Sequence, residues 1–416
     1  MTSCVAACSV DLREVLEARE LLSRVVRVTP LDHSETFSRM TGAEVYLKLE
    51  NLQKTGSFKV RGAWNKVAHL SKEQRAKGVV AASAGNHAQG VALAASRAGI
   101  PATIVMPAVA PLAKVEATRG YGASVVLKGG NYDEAYEEAL KVAKEAGSTF
   151  IHPFDDVHVI AGQGTISLEI TEQLPEVEVI VAPVGGGGLV AGIAVAAKQL
   201  NPAIKVFGVQ VAGASSMVAS LAQRQRVLLE SVNTIADGIA VRRPGEITFE
   251  VCQKYLDGIV TVDDDHIAHA MLLLMERAKM VVEGAGAASL AALLAGKIPC
   301  PGKKVVAVIS GGNVDVNLIS RIIEHGLRKA GRFMAITTRI PDRPGSLLKL
   351  LKVIADEGGN VISVEHDRLR QDLVLGQAEV EIKVETYGPG HMERIQSRLR
   401  EADYGVRGIS ESTRRN

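Results

Sequence analysis

The sequence carries almost no excess charge of either sign. Its 48 lysines and arginines balance 46 aspartates and glutamates, leaving a net charge of +2 over 416 residues. Without a basic footprint, nucleic acid is excluded as a main partner. Aromatic residues are scarce at 4%, whereas 40 glycines suit a chain of alternating strands, helices and glycine turns. The four cysteines (Cys4, Cys8, Cys252 and Cys300) form no Cys-x-x-Cys pair and no zinc-ligand spacing. They read as reduced structural thiols of a cytosolic protein. The N-terminal "MTSCVAACSVDLREV" has no basic leader, so no signal peptide is expected. Residues 179–197 are uncharged and long enough to raise the question of a membrane span. Pro183 and four consecutive glycines break that run into a strand, a turn and a helix.

What is present is alternation. The length predicts two or three domains. From Glu44 to about Asn317, the runs "VVAAS", "ATIVMP", "ASVVLK", "VEVIVAPV", "IKVFGVQ" and "KKVVAVIS" read as buried strands separated by helical stretches. That is an α/β protein with parallel sheets covered on both faces, and so many units fit two sheets better than one. After about Gly331 the period changes. "MAITTRI" alternates, and Leu347, Leu350, Leu351 and Ile354 mark one face of a proline-led helix. "VISVEH" and "QAEVEIKVE" are strands, Met392, Ile395 and Leu399 mark a second helix, and a short strand near 405–409 closes a βαββαβ, ferredoxin-like module. The expected division is a region 1–325, with a small subdomain at about 52–155, and a second domain 333–416. "EHGLRKAGR" (324–332) is the expected linker, and the tail "STRRN" is expected to be disordered.

One lysine is oddly placed. Lys59 follows Gly56 and Ser57, where a loop turns into a helix. A cation is penalised at a helix N-terminus, which lowers the amine's pKa and favours a nucleophilic lysine. Three glycine motifs, "SAGNHAQG", "GGGGLVAG" and "SGGN", each follow a predicted strand and open a helix, where ligands of open α/β sheets collect. The run from Gly185 to Leu189 can bring successive N–H groups to one phosphate, although glycine turns also serve tight packing. It matches neither the dinucleotide spacing nor the P-loop. A phosphate site beside a helix-start lysine points to pyridoxal phosphate, whose aldehyde needs an amine.

Taken in order, "KLENLQKTGSFKVRGA", "SAGNHAQG", "AGQGTISLEI", "GGGGLVAGIA", "EGAGA" and "SGGN" closely resemble the fold-type II pyridoxal phosphate enzymes, specifically the threonine/serine dehydratases (threonine ammonia-lyases). The resemblance spans about residues 21–317. The remainder resembles an ACT-type regulatory domain through its topology and "DRPGSL". The resemblance implies a tryptophan-synthase-β-like fold with two α/β subdomains. It also implies conversion of threonine to 2-oxobutanoate and ammonia, with serine to pyruvate as a secondary activity, as a first step toward isoleucine. By the same match, Lys59 forms the Schiff base and acts as the Cα base, while Lys48 and Lys54 are structural or surface residues. Asn86 meets the ring hydroxyl, Gly185, Gly186, Gly187, Gly188 and Leu189 hold the phosphate, and Ser310 faces the ring nitrogen. Ser83, Ala84, Gly85 and His87 form the loop expected to take the substrate carboxylate, with His87 orienting that loop. Gly238 and Glu283 line the site, and no metal is implied. Asp342, Pro344, Gly345 and Leu347 are the implied contacts for an isoleucine or valine effector. A cytoplasmic homodimer or homotetramer completes the expectation.

A neutral Ser310 makes a shallower electron sink than a carboxylate, which favours loss of a β-substituent over transamination. The nearest rival is a serine or aspartate racemase on the same scaffold. Related racemases carry a serine where this chain has Ala84, and a methyl group cannot donate a proton. They also bind a divalent cation, for which Gln210 and Ser216 are poor ligands. A cysteine-synthase-like transferase has different loops at "SFKVRGA" and "SAGNHAQG". A non-catalytic amino-acid sensor would have no need to keep Lys59, Asn86, the glycine loop and Ser310 together.

Overall fold

The computed structural model describes residues 10–370 and 372–408. Cys4, Cys8, most of the N-terminal stretch and the "STRRN" tail lie outside them. The chain divides into two compact units at Asp315/Val316.

In the first unit, β1 (Leu31–His33) and β2 (Glu44–Lys48) precede four strands of a small sheet, β3 (Val79–Ala82), β4 (Ala102–Met106), β5 (Ser124–Leu127) and β6 (Thr149–Phe150). β7 (Val179–Pro183), β8 (Lys205–Val211), β9 (Gly258–Val262) and β10 (Lys304–Val308) follow. The small sheet has the order β5-β4-β3-β6 and is parallel throughout. The large sheet runs β1-β2-β10-β7-β8-β9, parallel except for the antiparallel edge strand β1. All six strands read from the sequence are present, and residues 179–197 form the expected strand, glycine turn and helix start. Among the described residues, no helix is long and apolar enough to cross a membrane.

A central helix, Val157–Gln173, ties the two subdomains together, and glycine lets it do so backbone to backbone. A Cβ at Gly162 would fall 2.7 Å from Gly62 Cα of the helix Lys59–Ala68. A Cβ at Gly164 would fall 2.8 Å from the Gly192 carbonyl of the helix Gly188–Leu200. The helix that begins at Lys59 and the helix that begins at the glycine loop are therefore gripped by one common rod.

Charge is buried at the same junction. Lys48 and Arg61 have no exposed surface, and both bind Glu169, at 2.6 Å each. Arg61 also binds Glu50 at 2.7 Å, and Lys48 donates to the Thr29 carbonyl at 2.8 Å. Burial pulls the Lys48 amine below its usual pKa despite Glu169. For Glu169 burial pushes upward, but Arg61 and Lys48 outweigh it and hold the carboxyl low. Lys48 thus belongs to the scaffold. So does much of the motif "KLENLQKTGSFKVRGA": Lys48 and Arg61 meet the glutamate of "AGQGTISLEI", and Glu50 joins them through Arg61.

The second unit opens with the helix Val316–Lys329 and continues through β11 (Phe333–Pro341), helix Ser346–Asp356, β12 (Asn360–Asp367), β13 (Gln377–Glu385), helix Pro389–Glu401 and β14 (Arg407–Gly408). The sheet order β12-β13-β11-β14 is antiparallel throughout, so βαββαβ stands. Ala378, Val380, Ile382 and Val384 are buried as their alternation demands, beneath Leu350, Ile354, Ile395 and Leu399. Two expectations change. The presumed linker 324–332 mostly continues the helix Val316–Lys329, so the unit boundary falls earlier in the chain. The helix after "DRPG" starts at Ser346 behind Gly345 rather than being led by Pro344.

Candidate active site

Lys59 is the first residue of its helix, whose N-terminus has no side-chain cap. Its amine donates to the Pro153 carbonyl at 2.9 Å. The residue is half-buried, and burial brings the amine's pKa down to about 8 while Glu283 pulls it back up. The predicted direction is right, but the leading cause is desolvation rather than the helix end. The loop before it is pinned to the "SGGN" turn: the Phe58 N–H donates to the Ser310 carbonyl at 3.2 Å and Gly312 N–H to Gly56 at 2.9 Å. Ser310 is therefore held next to the lysine loop. It is buried, and no described group hydrogen-bonds its hydroxyl.

Asn86 starts the helix Asn86–Ala98 and sits in a polar chain. It donates to Glu283 Oε1 at 2.7 Å and accepts from Asn313 Nδ2 at 2.8 Å, while Asn313 also donates to the Thr55 carbonyl at 2.6 Å. Asn313 is the asparagine of "SGGN", and the motif alone does not announce this role. Burial, and then Asp237, push the Glu283 carboxyl up to about 7, against the Asn86 hydrogen bond, Lys114 and Lys59. Gly238 lies alongside: a Cβ there would meet Ala285 at 2.9 Å and Glu283 Oε1 at 3.7 Å.

The two anion loops differ in how they are walled. Gly185–Leu189 leads from β7 into the helix Gly188–Leu200, and no described acceptor takes its five backbone N–H groups. Gly187 has φ +103°, and a Cβ there would strike Met217 and Thr248 at 2.8 Å. Gly186 and Gly188 are crowded by Phe154, so packing alone already requires glycine at those positions. The row of unclaimed N–H groups, rather than the glycines themselves, is what can receive an anion. In the second loop, Gly85 N–H is capped by Ser83 Oγ at 3.1 Å, whereas those of Ala84, Asn86 and His87 find no acceptor. His87 is buried, donates through Nε2 to the Ile151 carbonyl at 2.9 Å, and is held neutral by burial, its pKa down to about 3. That hydrogen bond ties the loop to the chain just after β6.

The segment 152–155 was not read from the sequence. His152 Nδ1 accepts from the Phe154 and Asp155 N–H groups at 3.3 and 2.8 Å, which aims the Pro153 carbonyl and the Phe154 ring at the site. Asp155 then accepts from the Glu246 and Thr248 N–H groups at 2.8 and 3.2 Å, capping the helix Glu246–Tyr255. Gln210 and Ser216 are engaged by the protein itself, accepting from Val218 N–H at 2.9 Å and donating to the Val241 carbonyl at 2.8 Å.

An electrophile with a phosphate fits this set: an amine in reach, five free N–H groups, and a neutral hydroxyl without a partner. The sequence profile described as "Pyridoxal-phosphate dependent enzyme" matches residues 22–311. The chain belongs to that family. Among its relatives, the L-threonine ammonia-lyase of Thermotoga maritima is 54% identical, over 96% of this chain and 99% of its own. Threonine deaminase isoform 2 from Solanum lycopersicum superposes with a TM-score of 0.73 at 42% identity, over 75% of this chain and 86% of that one. Maize serine racemase also superposes at 0.73, with 38% identity over 77% and 99%. Within the family, pyridoxal phosphate is the cofactor that the lysine, the glycine loop and Ser310 would hold.

In the second unit, Asp342 is paired with Arg368 at 3.1 Å, and Leu347 packs on the core. Gly345 has φ +85° and nothing within 4 Å of a Cβ, and Pro344 is exposed.

Proposed function

We propose that the protein is a pyridoxal phosphate-dependent threonine ammonia-lyase, converting L-threonine to 2-oxobutanoate and ammonia, with L-serine to pyruvate as a secondary activity. One observation carries the reading. A lysine amine drawn down to about 8 stands at a helix start, in the same loop cluster as a row of unclaimed N–H groups and a neutral serine. The near end-to-end match to a threonine ammonia-lyase supports the choice of substrate.

Bound there, pyridoxal phosphate supplies an electron sink for the pair left at Cα when its proton departs. Lys59 would carry the cofactor and, once displaced by the substrate amine, take that proton. The N–H groups of Ala84, Asn86 and His87 would hold the substrate carboxylate. Asn86 would give its second amide hydrogen to the ring hydroxyl, and Ser310 would present a neutral hydroxyl to the ring nitrogen. The second unit would bind isoleucine or valine around Gly345 and adjust the first unit, in a cytoplasmic dimer or tetramer.

Incubation with threonine and serine tests the assignment. Release of ammonia with 2-oxobutanoate, faster than with pyruvate, is the expected result. D-serine as the main product would establish the racemase reading instead, which the serine racemase likeness motivates and Ala84 argues against.

A further inference from the structure

Two ion pairs join the helices of the small-sheet subdomain to one segment of the large-sheet subdomain. Lys114 Nζ, in the helix Leu112–Gly120, lies 3.1 Å from Asp237 Oδ2. Arg242 donates to Asp133 of the helix Tyr132–Ala146 at 2.7 Å. Asp237 is well exposed, and as a contribution to stability such a pair counts for little. Its position counts for more. Asp237 precedes Gly238, which abuts Glu283, and a Cβ at Gly185 would lie 3.1 Å from Ile239 Cα.

Glu283 is the hinge of the polar chain. An ionised carboxylate only accepts, so it fixes the Asn86 amide with Nδ2 toward Glu283 and Oδ1 toward Asn313. A protonated Glu283 can donate as well as accept, so it no longer fixes the Asn86 amide in the orientation that reaches Asn313 and, through it, Thr55. The charged groups acting on Glu283 are Asp237, Lys114 and Lys59, and only Asp237 favours the protonated form.

We propose that Lys114 and Asp237 form a charge gate on Glu283. Paired, they present little net charge, and Glu283 stays the acceptor that orients Asn86. Unpaired, Asp237 drives a solvent proton onto Glu283 and releases the amide. Lys114 and Asp237 are thus positioning residues, and the inference rests on the proposed function only for what Asn86 then does to the bound molecules.

The test compares cofactor-loaded Lys114→Met, Asp237→Asn and the double variant, with Glu283→Gln as reference. Difference infrared titration follows the carboxylic-acid band that Glu283→Gln removes. Relative to the parent protein, the midpoint is expected about half a pH unit higher in Lys114→Met and lower by a similar amount in Asp237→Asn. The double variant returns to the parent value, because both charges are gone. The acid limb of kcat/KM for threonine moves in the same sense. A merely structural strap gives equal effects in both single variants, such as a raised KM with an unmoved midpoint, and that result overturns the proposal. Absence of ammonia release from the parent protein would strike the proposed function, yet leave the infrared comparison readable.

Discussion

Two helices of this protein begin behind a glycine in the left-handed region, and they face different surroundings. Gly187, φ +103°, opens the helix Gly188–Leu200 inside a wall made by Met217, Thr248 and Phe154. Gly345, φ +85°, opens the helix Ser346–Asp356 with nothing within 4 Å of where a Cβ would stand. Both ends offer free N–H groups and a positive dipole. Only the first is enclosed, and enclosure is what makes such groups strong, since field strength rises as water leaves. The first end is walled as the proposed anion site requires. The second is half a site, which a ligand or another chain would have to complete.

The sharpest break in this comparison comes at the amine serving the enclosed end. Lys59→Ala is expected to lower ammonia release about a millionfold while the chain stays folded, measured by single-turnover assay and circular dichroism. Substantial turnover in that variant would remove the lysine from the mechanism. Gly187→Ala should cost about 2–5 kcal/mol of stability, since backbone strain and the clash with Met217 and Thr248 act together, and should weaken pyridoxal phosphate binding. Gly345→Ala should cost only about 1–2 kcal/mol, from strain alone. Urea melts of the two variants check the difference, and equal losses would mean the wall around Gly187 is soft. Ending the chain at Asp315 should leave an active enzyme that isoleucine no longer modulates, losing a coupling of about 1–3 kcal/mol. Isoleucine titrations of the full and shortened chains decide that, and identical insensitivity in both would remove the sensing role.

The smallest expected effect concerns pH. Because burial brings the Lys59 amine down to about 8, uptake of pyridoxal phosphate by cofactor-free protein should accelerate as pH rises through 8 and then level off. Glu283 raises that amine's pKa, so Glu283→Gln should move the midpoint down. An unmoved midpoint would mean the two groups are not in electrostatic contact.

How much of this was legible in advance depends on the range of the interactions. Period-2 alternation in Ala378–Val384 and long apolar runs such as "KKVVAVIS" are local, and those strands stand as read. The two-residue β6 exists only because Thr149 and Phe150 pair with Val79 and Val80, and no local pattern announces it. Lys59 stood out because its charge is at the unfavourable end of a helix, yet the burial that sets its pKa comes from segments far away in sequence. The same holds for Asp155, which caps a helix more than ninety residues on, whereas His152 bonds within its own loop and shows no motif. Residues 324–329 look like a linker taken alone, but the helical turns before them carry the helix on to Lys329.

The buried quartet of Lys48, Glu50, Arg61 and Glu169 bears on modularity. Its two cations and two anions come from sequence segments more than a hundred residues apart, and any one of them alone would be a stranded charge in the interior. The lysine loop is therefore not a transplantable cassette. A chimera that exchanges residues 48–61 with a relative while leaving the central helix behind inherits a mismatched charge ledger. Recombination between relatives should succeed only where both segments travel together.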